Sequence, residues 1–382
     1  MSTYPEFLVR IDCITYNHAP YIEDAMNGFC MQQTTFPFVA TIIDDASTDG
    51  EPEVIRRYLD VHFDLSEKGL SRQWETDDAF FIYAQHKENK NCYFAVVLLK
   101  YNFHSINKSK EPLIKDWTNT KYVALCEGDD YWTGYRKLQM QNDFLESHLD
   151  CTMCVHNADR YSMKKGCLVS AFNRSETNRF FSPEECILGG GDWFPTCSMF
   201  FRKEIYDKGK EIISKQYVGD YTLQIYMSLV GKVFYFVEKM SVYRVDITNS
   251  WVDRYYSIAD FSVLKKLHMK EMQIYDEFDK YSNYIYHHAF EERRYIFLSS
   301  EYLRFGKYSQ ARTFLNRIPQ NKAKEILGMA NIKSGSIKAY FYLYGCSKIY
   351  DMLYYYSIFL PLYEIKKIKQ YIVGRIRFNF SK

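Results

Sequence analysis

The chain has 382 residues, 47% of them apolar and 25% charged, a composition typical of a soluble globular protein with one large and one smaller domain, or two of ordinary size. The net charge of only +2 argues against a nucleic-acid-binding protein, and no apolar run approaches the roughly 20 residues of a membrane-spanning helix. Scattered cysteines within apolar runs, and an amino terminus without signal-peptide character, predict a cytoplasmic protein.

The first 150 residues alternate short apolar segments with segments of helical periodicity. We predict strands and helices in alternation, with strands at 7–14, 38–43, 80–84 and 122–125 and helices at 21–31, 52–59 and 135–147. Because each predicted strand is mostly apolar, we expect it to be buried on both faces, as in a parallel sheet covered by helices. The sequence therefore predicts an α/β fold.

The pattern changes near residue 252. A helix start is predicted at Ser182-Pro-Glu-Glu185, followed by a helix at 220–229 and a strand at 233–237. Farther along, long helical stretches without buried strands predominate. We therefore predict a first domain of residues 1–252 and an all-helical region of residues 253–382.

Three polar clusters directly follow predicted strands. They comprise Thr15 to Asn17, Asp44 to Asp49, and Glu127 to Asp130. In open parallel sheets, ligands bind in the crevice beyond the carboxyl ends of the strands, so we expect these clusters to converge on a ligand site. The last cluster has three carboxylates within four positions, and burying them together is unfavourable unless a cation or strong donors compensate.

A divalent cation would account for the acidic cluster. Mg²⁺ and Mn²⁺ prefer carboxylate and water ligands and need only one or two carboxylates from a protein. Such an ion would neutralise the diphosphate that departs from a nucleotide-sugar donor. Alternatively, the cluster is an Asp-rich turn that caps the next helix, and the segment from Asp44 to Asp49 is an Asx-type turn.

Three motifs together resemble glycosyltransferase family 2, the inverting enzymes of GT-A fold. They occur in the family's order and read Thr15-Tyr-Asn17, Asp44-Asp-Ala-Ser-Thr-Asp-Gly50 and Leu125-Cys-Glu-Gly-Asp-Asp-Tyr-Trp132. Two further segments, Lys137-Leu-Gln139 and Asp143-Phe-Leu145, resemble a bacterial branch associated with surface polysaccharides. The resemblance covers residues 7–252 and implies a Rossmann-like, mostly parallel sheet flanked by helices, to which the C-terminal region adds a helical extension.

The resemblance implies transfer of a hexosyl or N-acetylhexosaminyl group from a nucleotide-diphosphate sugar, usually a UDP-sugar, to a hydroxyl of a glycan or lipid-linked glycan. Thr15 and Tyr16 would line the nucleotide pocket, and Asp45 would hydrogen-bond the base. Asp129 and Asp130 would serve the ribose, the diphosphate and a bound Mg²⁺ or Mn²⁺.

The resemblance also implies a catalytic base, which Asp220 in Val218-Gly-Asp220 matches. This residue would take the proton from the acceptor hydroxyl as its oxygen attacks the anomeric carbon, and its structural alternative is a helix N-cap. Glu127 stands where many relatives carry the first Asp of a DxD motif. A departure occurs in Tyr243-Arg-Val-Asp246, because relatives often have His at the last position. The resemblance therefore does not indicate which residue of this chain would make the phosphate or metal contact that relatives make with that His.

Four residues are candidates for acceptor contact. Thr196 and Ser198 lie where the family builds the floor of its acceptor site, and their alternative is that of ordinary strand hydroxyls. Trp132 and Trp193 are candidates for stacking on a sugar ring, and their alternative is a place in the core.

Two other functions fit parts of the pattern. A non-catalytic GT-A-like subunit of a polysaccharide assembly would have lost the base or the metal carboxylates, yet Asp129, Asp130 and Asp220 are all present. A nucleotidyltransferase would carry a Gly-rich, basic loop after the first strand, whereas Thr15-Tyr-Asn-His-Ala-Pro20 has neither property. The sequence therefore favours a glycosyltransferase.

The C-terminal tail combines an aromatic run with basic residues. Met352 to Tyr363 is a run of 12 mostly aromatic and aliphatic residues, and basic side chains follow it at Lys366, Lys367, Lys369, Arg375, Arg377 and Lys382. This combination suits the headgroup zone of an anionic cytoplasmic leaflet, so we expect peripheral contact with the inner face of the cell membrane. Alternatively, the aromatic run packs against the preceding helices.

Overall fold

The structure, a computed structural model, describes residues 4–66, 70–214, 219–248 and 250–334. Contacts divide the chain into two compact units, Met1–Phe290 and Glu291–Lys382. Helices beyond residue 252 therefore contribute to both units, and the functional division predicted at that residue stays a prediction.

Strands and helices alternate through much of the described chain. The strands are β1 (Val9–Thr15), β2 (Phe38–Asp44), β3 (Phe63–Asp64), β4 (Arg72–Glu75), β5 (Ala79–His86), β6 (Cys92–Leu99), β7 (Tyr122–Leu125), β8 (Tyr131–Trp132), β9 (Cys151–Ser162), β10 (Cys167–Ala171), β11 (Arg179–Phe181), β12 (Phe200–Arg202) and β13 (Lys232–Val245). The helices are α1 (Ile22–Cys30), α2 (Glu51–His62), α3 (Lys137–Ser147), α4 (Pro183–Gly189), α5 (Lys203–Ser214), α6 (Gly219–Val230), α7 (Trp251–Ser257), α8 (Phe261–Tyr281), α9 (His287–Arg304), α10 (Tyr308–Leu315) and α11 (Gln320–Ser334). Short 3-10 helices occupy Glu111–Trp117 and Thr196–Ser198.

The described strands form one mixed sheet with a parallel centre. Its main order is β11-β13-β9-β12-β7-β1-β2-β6-β5-β3, and β4, β8 and β10 attach to β5, β13 and β9. Strands β7, β1, β2 and β6 are parallel neighbours, whereas β12 runs antiparallel between β7 and β9. The pairing of β1 with β2 runs from Val9 opposite Phe38 to Thr15 opposite Asp44, so the polar clusters after both strands begin at the same edge.

Helices bury apolar stripes against the sheet. In α1, the helical spacing predicts a stripe at Ile22, Met26 and Phe29, and all three side chains pack in one core cluster with residues of β1. The Ser182 cap of α4 forms a capping box with Glu185, as the sequence predicts. The predicted fold, a mostly parallel sheet flanked by helices and followed by further helices, is confirmed.

Some elements differ from the sequence prediction. Strand β6 is absent from that prediction although all eight of its residues are buried, because a short continuous apolar run is also compatible with a segment of buried helix. Strand β5 runs antiparallel to β6, outside the parallel set. The segment from residue 102 to 120, for which we predict no strand or helix, buries Phe103 and Trp117 in a core cluster.

The described part of the second unit, residues 291–334, is helical. Within it, the Phe314 ring stacks on Tyr295 and Tyr302 with centroid distances of 6.1 and 5.6 Å. Between residues 4 and 334, apart from the gaps given above, no helix is both long and apolar enough to cross a membrane. The aromatic and basic tail predicted to contact the membrane lies outside the described residues.

Candidate active site

The three polar clusters meet at the carboxyl ends of β1, β2 and β7. The Asp45 amide donates to the Thr15 carbonyl at 3.0 Å, and the Gly128 amide donates to the Ile14 carbonyl at 3.3 Å. Because these bonds extend the parallel pairing of β1 with its two neighbours, the loops that follow the three strands lie side by side. The clusters are therefore brought together at the edge where the sheet topology places a crevice.

A buried carboxylate, Glu51 at the start of α2, joins the first two clusters. It accepts hydrogen bonds from the Thr15 hydroxyl, from the His18 amide at 2.8 Å and from the Ser47 hydroxyl at 2.9 Å. The Asn17 amide donates to the same Ser47 oxygen at 2.8 Å. Glu51 thereby fixes the orientation of the Thr15 side chain beneath the crevice.

Asp45 anchors the loop that follows β6. Its carboxylate accepts the Phe103 amide at 2.7 Å and the His104 amide at 3.2 Å, and it pairs with the Lys110 ammonium at 3.0 Å. The predicted contact of Asp45 with a nucleotide base would share a carboxylate that already has three partners. Its role toward the base stays a prediction.

The neighbouring Asp44 is buried and less well satisfied. One carboxylate oxygen accepts the Ser47 amide at 3.2 Å, and the other has no partner among the described residues. Burial raises the pKa of Asp44 to about 6, and the hydrogen bonds from Ser47 oppose this rise. Because the folded-state pKa lies above that of the unfolded chain, the contribution of this group to stability is present at low pH and is lost as the pH rises through about 6.

We expect Asp44→Asn to remove this pH dependence. Between about pH 4 and pH 7, the free energy of unfolding of the wild type should fall by about 1–3 kcal/mol relative to that of the variant, because only the wild type must bury the ionised carboxylate. Chemical denaturation of both proteins across this range measures the difference. Stability curves that run parallel would contradict the expectation.

The acidic loop, residues 126–130, approaches β1 through Gly128. A methyl group at Gly128 would lie 2.1 Å from Thr15 Oγ1 and 2.6 Å from Thr15 Cβ, both far inside van der Waals contact. Thr15 cannot turn away without losing its bond to the buried Glu51. The close approach of this loop to β1 therefore requires glycine.

We expect Gly128→Ala to displace the acidic loop from β1. The free energy of unfolding should fall by about 1–3 kcal/mol, the usual cost of overpacking, and UDP affinity should fall about tenfold or more. Thermal unfolding and calorimetric titration with UDP measure both effects. Gly219→Ala is the matched control, because its methyl group would meet no atom of the described residues within 4 Å. Equal UDP affinity in the two variants would show that the loop tolerates the methyl group.

Two aspartates of the acidic loop differ in exposure. Asp130 is buried, its Oδ1 accepts the Arg244 amide at 2.8 Å, and its Oδ2 has no partner among the described residues. Burial, followed by the charge of Asp129, raises the pKa of Asp130. Asp129 is partly open, and its Oδ2 lies 3.7 Å from Nε2 of the His18 ring.

Glu127 links the acidic loop to the amino terminus of α6. Glu127 is exposed at the surface, yet its carboxylate is partly desolvated by surrounding protein groups. This loss of hydration, followed by the charges of Asp129 and Asp220, raises the pKa of Glu127 to about 8. The acidic loop and Asp220 are therefore close enough to interact electrostatically.

Arg244 on β13 holds the acidic loop in place. Its guanidinium donates to the Asp129 carbonyl at 2.7 Å, forms an ion pair with Asp24 of α1, and lies 4.5 Å from the centre of the Tyr131 ring. Its backbone amide also binds the Asp130 carboxylate. Arg244 thus joins α1, β13 and the loop.

Asp246, where relatives often have His, follows β13 in the left-handed conformation with φ of 63°. The Ser162 hydroxyl of β9 donates a hydrogen bond to its carboxylate. This bond ties Asp246 to the neighbouring strand, and its role toward a ligand stays open.

Asp220, the predicted base, lies in the first turn of α6. Its Oδ1 accepts the Tyr221 amide at 2.7 Å, and its Oδ2 accepts the Thr196 hydroxyl at 3.3 Å. Burial raises the pKa of Asp220, whereas these two hydrogen bonds lower it. A raised pKa makes a carboxylate a better proton acceptor near neutral pH, so the site suits a general base.

The acidic loop offers donor atoms for a divalent ion. No cluster of three or more His, Cys, Asp or Glu side chains suited to a metal occurs within the part of the chain that the structure describes. However, an ion shared with a nucleotide diphosphate needs only one or two protein carboxylates. The partly open Asp129 and the unpartnered oxygen of Asp130 meet this requirement. The residues therefore fit Mg²⁺ or Mn²⁺ held jointly with a diphosphate.

Two of the four acceptor candidates are buried. Trp132 is 2% exposed, and its indole nitrogen donates to the Cys197 carbonyl at 2.9 Å. Ser198 is 0% exposed, and its hydroxyl donates to the Pro195 carbonyl at 2.7 Å. Contact between either side chain and a sugar would require a rearrangement of the surrounding core.

The other predicted contact residues are more accessible. Thr196 is partly exposed and holds Asp220, as described above. Trp193 is half-buried, with the Arg174 guanidinium 4.7 Å from its ring centre. Tyr16, predicted to line the nucleotide pocket, is 41% exposed.

Sequence reasoning assigned no role to Glu51, Arg244 or Tyr243. Glu51 directly follows the second motif, but nothing in the local pattern indicates that its carboxylate bonds Thr15, which lies 36 positions away. Arg244 and Tyr243 belong to the Tyr-Arg pair that the resemblance already marked. That pair is the sequence signal that could have identified both residues as part of the site.

Comparison of sequences leaves the family open. No protein-family model matches the chain. Uncharacterized protein Mb1547 of Mycobacterium bovis and uncharacterized protein Rv1520 of Mycobacterium tuberculosis are each 28% identical to it over 248 residues. Each match covers 65% of this chain and 61% of the relative, so the similarity spans less than two-thirds of those proteins.

Comparison of structures supports the fold. The crystal structure of S. aureus TarS 1–349 in complex with UDP-GlcNAc superimposes with a TM-score of 0.50 at 13% identity, covering 82% of each chain. The mannosyltransferase PcManGT from Pyrobaculum calidifontis, in complex with GDP-Man and Mn²⁺, gives 0.45 at 12% identity, covering 88% of this chain and 79% of that one. The second value is too low to carry an argument. The first shows that the fold is glycosyltransferase-like.

Proposed function

We propose that this protein is an inverting glycosyltransferase of family 2. It would transfer a hexosyl or N-acetylhexosaminyl group from a nucleotide-diphosphate sugar, a UDP-sugar by preference, to a hydroxyl of a glycan or lipid-linked glycan in bacterial surface-polysaccharide synthesis. The observation that carries the proposal is the convergence of Thr15, the acidic loop and Asp220 at the carboxyl edge of a glycosyltransferase-like sheet.

In the proposed reaction, the nucleotide lies over the ends of β1 and β2, where Tyr16 lines its pocket and the buried Thr15 supports the pocket from beneath. Asp220 takes the proton from the acceptor hydroxyl while that oxygen attacks the anomeric carbon. The bond between this carbon and the diphosphate oxygen breaks from the opposite side, which inverts the configuration. When bound at Asp129 and Asp130, Mg²⁺ or Mn²⁺ supplies positive charge to the departing diphosphate.

Geometry supports this division of roles. Asp220 has both carboxylate oxygens oriented by hydrogen bonds, and burial raises its pKa, the direction that favours uptake of a proton. The acidic loop is held by Gly128 against β1 and by Arg244 against α1, so its carboxylates are preorganised. Preorganised charge at the site of bond cleavage is usually a large part of enzymatic rate enhancement.

A panel of UDP-, GDP- and dTDP-sugars tests the proposal. Purified protein should be stabilised against thermal unfolding by one class of nucleotide sugar, and it should hydrolyse that sugar slowly in the absence of acceptor. Binding without any consumption, with or without acceptor glycans, would instead favour a non-catalytic binding subunit. Neither binding nor consumption would refute the proposed function.

We also propose peripheral contact with the inner face of the cell membrane. The support is the sequence of the tail, in which an aromatic run precedes six basic residues. The full chain should float with anionic vesicles and be released by high salt. A variant with those six residues changed to Gln should remain at the bottom of the gradient. Equal flotation of both proteins, or of neither, would contradict the proposal.

A further inference from the structure

Tyr243 directly precedes Arg244 on β13, and the proposed reaction assigns it no role. Successive side chains of a strand point to opposite faces, and Arg244 directs its guanidinium to the acidic loop and α1. Tyr243 therefore points the other way, together with Ser241. The Ser241 hydroxyl lies 3.2 Å from the Cys197 sulfur, in the 3-10 helix that also carries Thr196.

The backbone on either side of Tyr243 lies near the acidic loop and near the 3-10 helix that holds Asp220. One residue along the strand, the Arg244 amide holds Asp130, and across the face Thr196 holds Asp220. The charges of four carboxylates act on the phenol, those of Asp130, Glu127, Asp129 and Asp220. Burial and these charges keep the pKa of Tyr243 well above its ordinary value, so the phenol retains its proton.

The hydroxyl of Tyr243 is available to a ligand. The ring is half-buried and packs edge to face against Phe172 at 5.6 Å, which restricts its motion. The hydroxyl forms no hydrogen bond with the described residues. Its oxygen is also not among the fully buried polar atoms that lack a partner. The ring is therefore held in place, and its hydroxyl oxygen is not fully buried.

The geometry of the proposed reaction indicates which part of the substrate would lie opposite the Tyr243 hydroxyl. An inverting displacement requires the leaving oxygen, the anomeric carbon and the acceptor oxygen to lie roughly in line. A group between the carboxylates that serve the diphosphate and the base that serves the acceptor therefore faces the transferred sugar. Sugar hydroxyl, ring and acetamido oxygens all accept hydrogen bonds, whereas the surrounding carboxylates would repel a further anion.

We propose that the Tyr243 hydroxyl donates a hydrogen bond to an oxygen of the transferred sugar. This inference rests on the proposed glycosyl transfer, because the position of the sugar follows from that reaction. Tyr243 would thereby contribute to the recognition of the sugar but not of the nucleotide.

The test compares the wild type with Tyr243→Phe, which removes one oxygen and keeps the ring. Binding of UDP, or of the nucleoside diphosphate that the panel identifies, should stay within about twofold of the wild type. Affinity for the intact nucleotide sugar, and kcat/KM for its consumption, should fall about 5- to 20-fold, as expected for one lost hydrogen bond. Calorimetric titration and a nucleotide-release assay measure these quantities.

Tyr93→Phe is the matched control, because the Tyr93 hydroxyl accepts a hydrogen bond from Gln85 at 2.7 Å on the opposite part of the sheet. It should leave both affinities and turnover unchanged. If Tyr243→Phe leaves kcat/KM unchanged, or weakens nucleotide and nucleotide sugar equally, the inference fails while glycosyl transfer stands. If the wild type binds and consumes no nucleotide sugar, the proposed function fails and the inference falls with it.

Discussion

Asp220→Asn is expected to lose transfer by a factor of roughly 10² or more, the usual contribution of a positioned general base, while it retains nucleotide binding. The amide is nearly isosteric with the carboxylate and still accepts the Tyr221 amide hydrogen, so the first turn of α6 should keep its structure. It cannot accept the proton of the acceptor hydroxyl. Steady-state transfer rates together with UDP titration separate the lost chemistry from any lost binding.

Asp192→Asn is the matched control for this experiment. Its carboxylate is close enough to influence the charge of Asp220, but it is 77% exposed and pairs with Arg160 at 2.7 Å. Removing this exposed charge should change transfer by less than about threefold, because solvent screens it. If Asp220→Asn behaves like Asp192→Asn, Asp220 is not the base.

Metal removal is expected to have the second large effect. EDTA should abolish transfer, and added Mn²⁺ or Mg²⁺ should restore it, if Asp129 and Asp130 hold the ion with the diphosphate. Asp129→Ala should weaken UDP binding only when the metal is present, because the apoprotein has no ion for this carboxylate to hold. Calorimetric titration of UDP into both proteins, with and without metal, measures the coupling.

The metal experiment has an internal control. Asp192→Asn should show the same metal dependence of UDP affinity as the wild type, because its carboxylate is 77% exposed and pairs with Arg160. Equal UDP affinity with and without metal, in the wild type and in Asp129→Ala alike, would exclude an ion shared between these carboxylates and the nucleotide.

The alternation of strands and helices, and the position of the acidic residues directly after strands, were predictable from the sequence. Strands β1, β2 and β7 are short apolar runs that end in polar clusters, and this pattern depends only on neighbouring residues. Once the strands are parallel, their carboxyl ends share one edge, so convergence of the clusters follows from topology. Strand β6 was missed because a short continuous apolar run is also compatible with a segment of buried helix, and periodicity alone does not distinguish the two.

Contacts between distant residues were decided only by the tertiary structure. Glu51 beneath Thr15 and Arg244 against Asp24, 220 positions away, depend on which elements pack together. The depth of Trp132 was equally undetermined, because an aromatic ring after an acidic loop can face either a ligand or the core. Here the neighbouring α1 approaches so closely that a methyl group on Gly28 would lie 2.9 Å from the Trp132 amide nitrogen. Local sequence determines backbone conformation and polarity. The partner of a buried polar group or ring is determined by which distant elements pack against each other and exclude water between them.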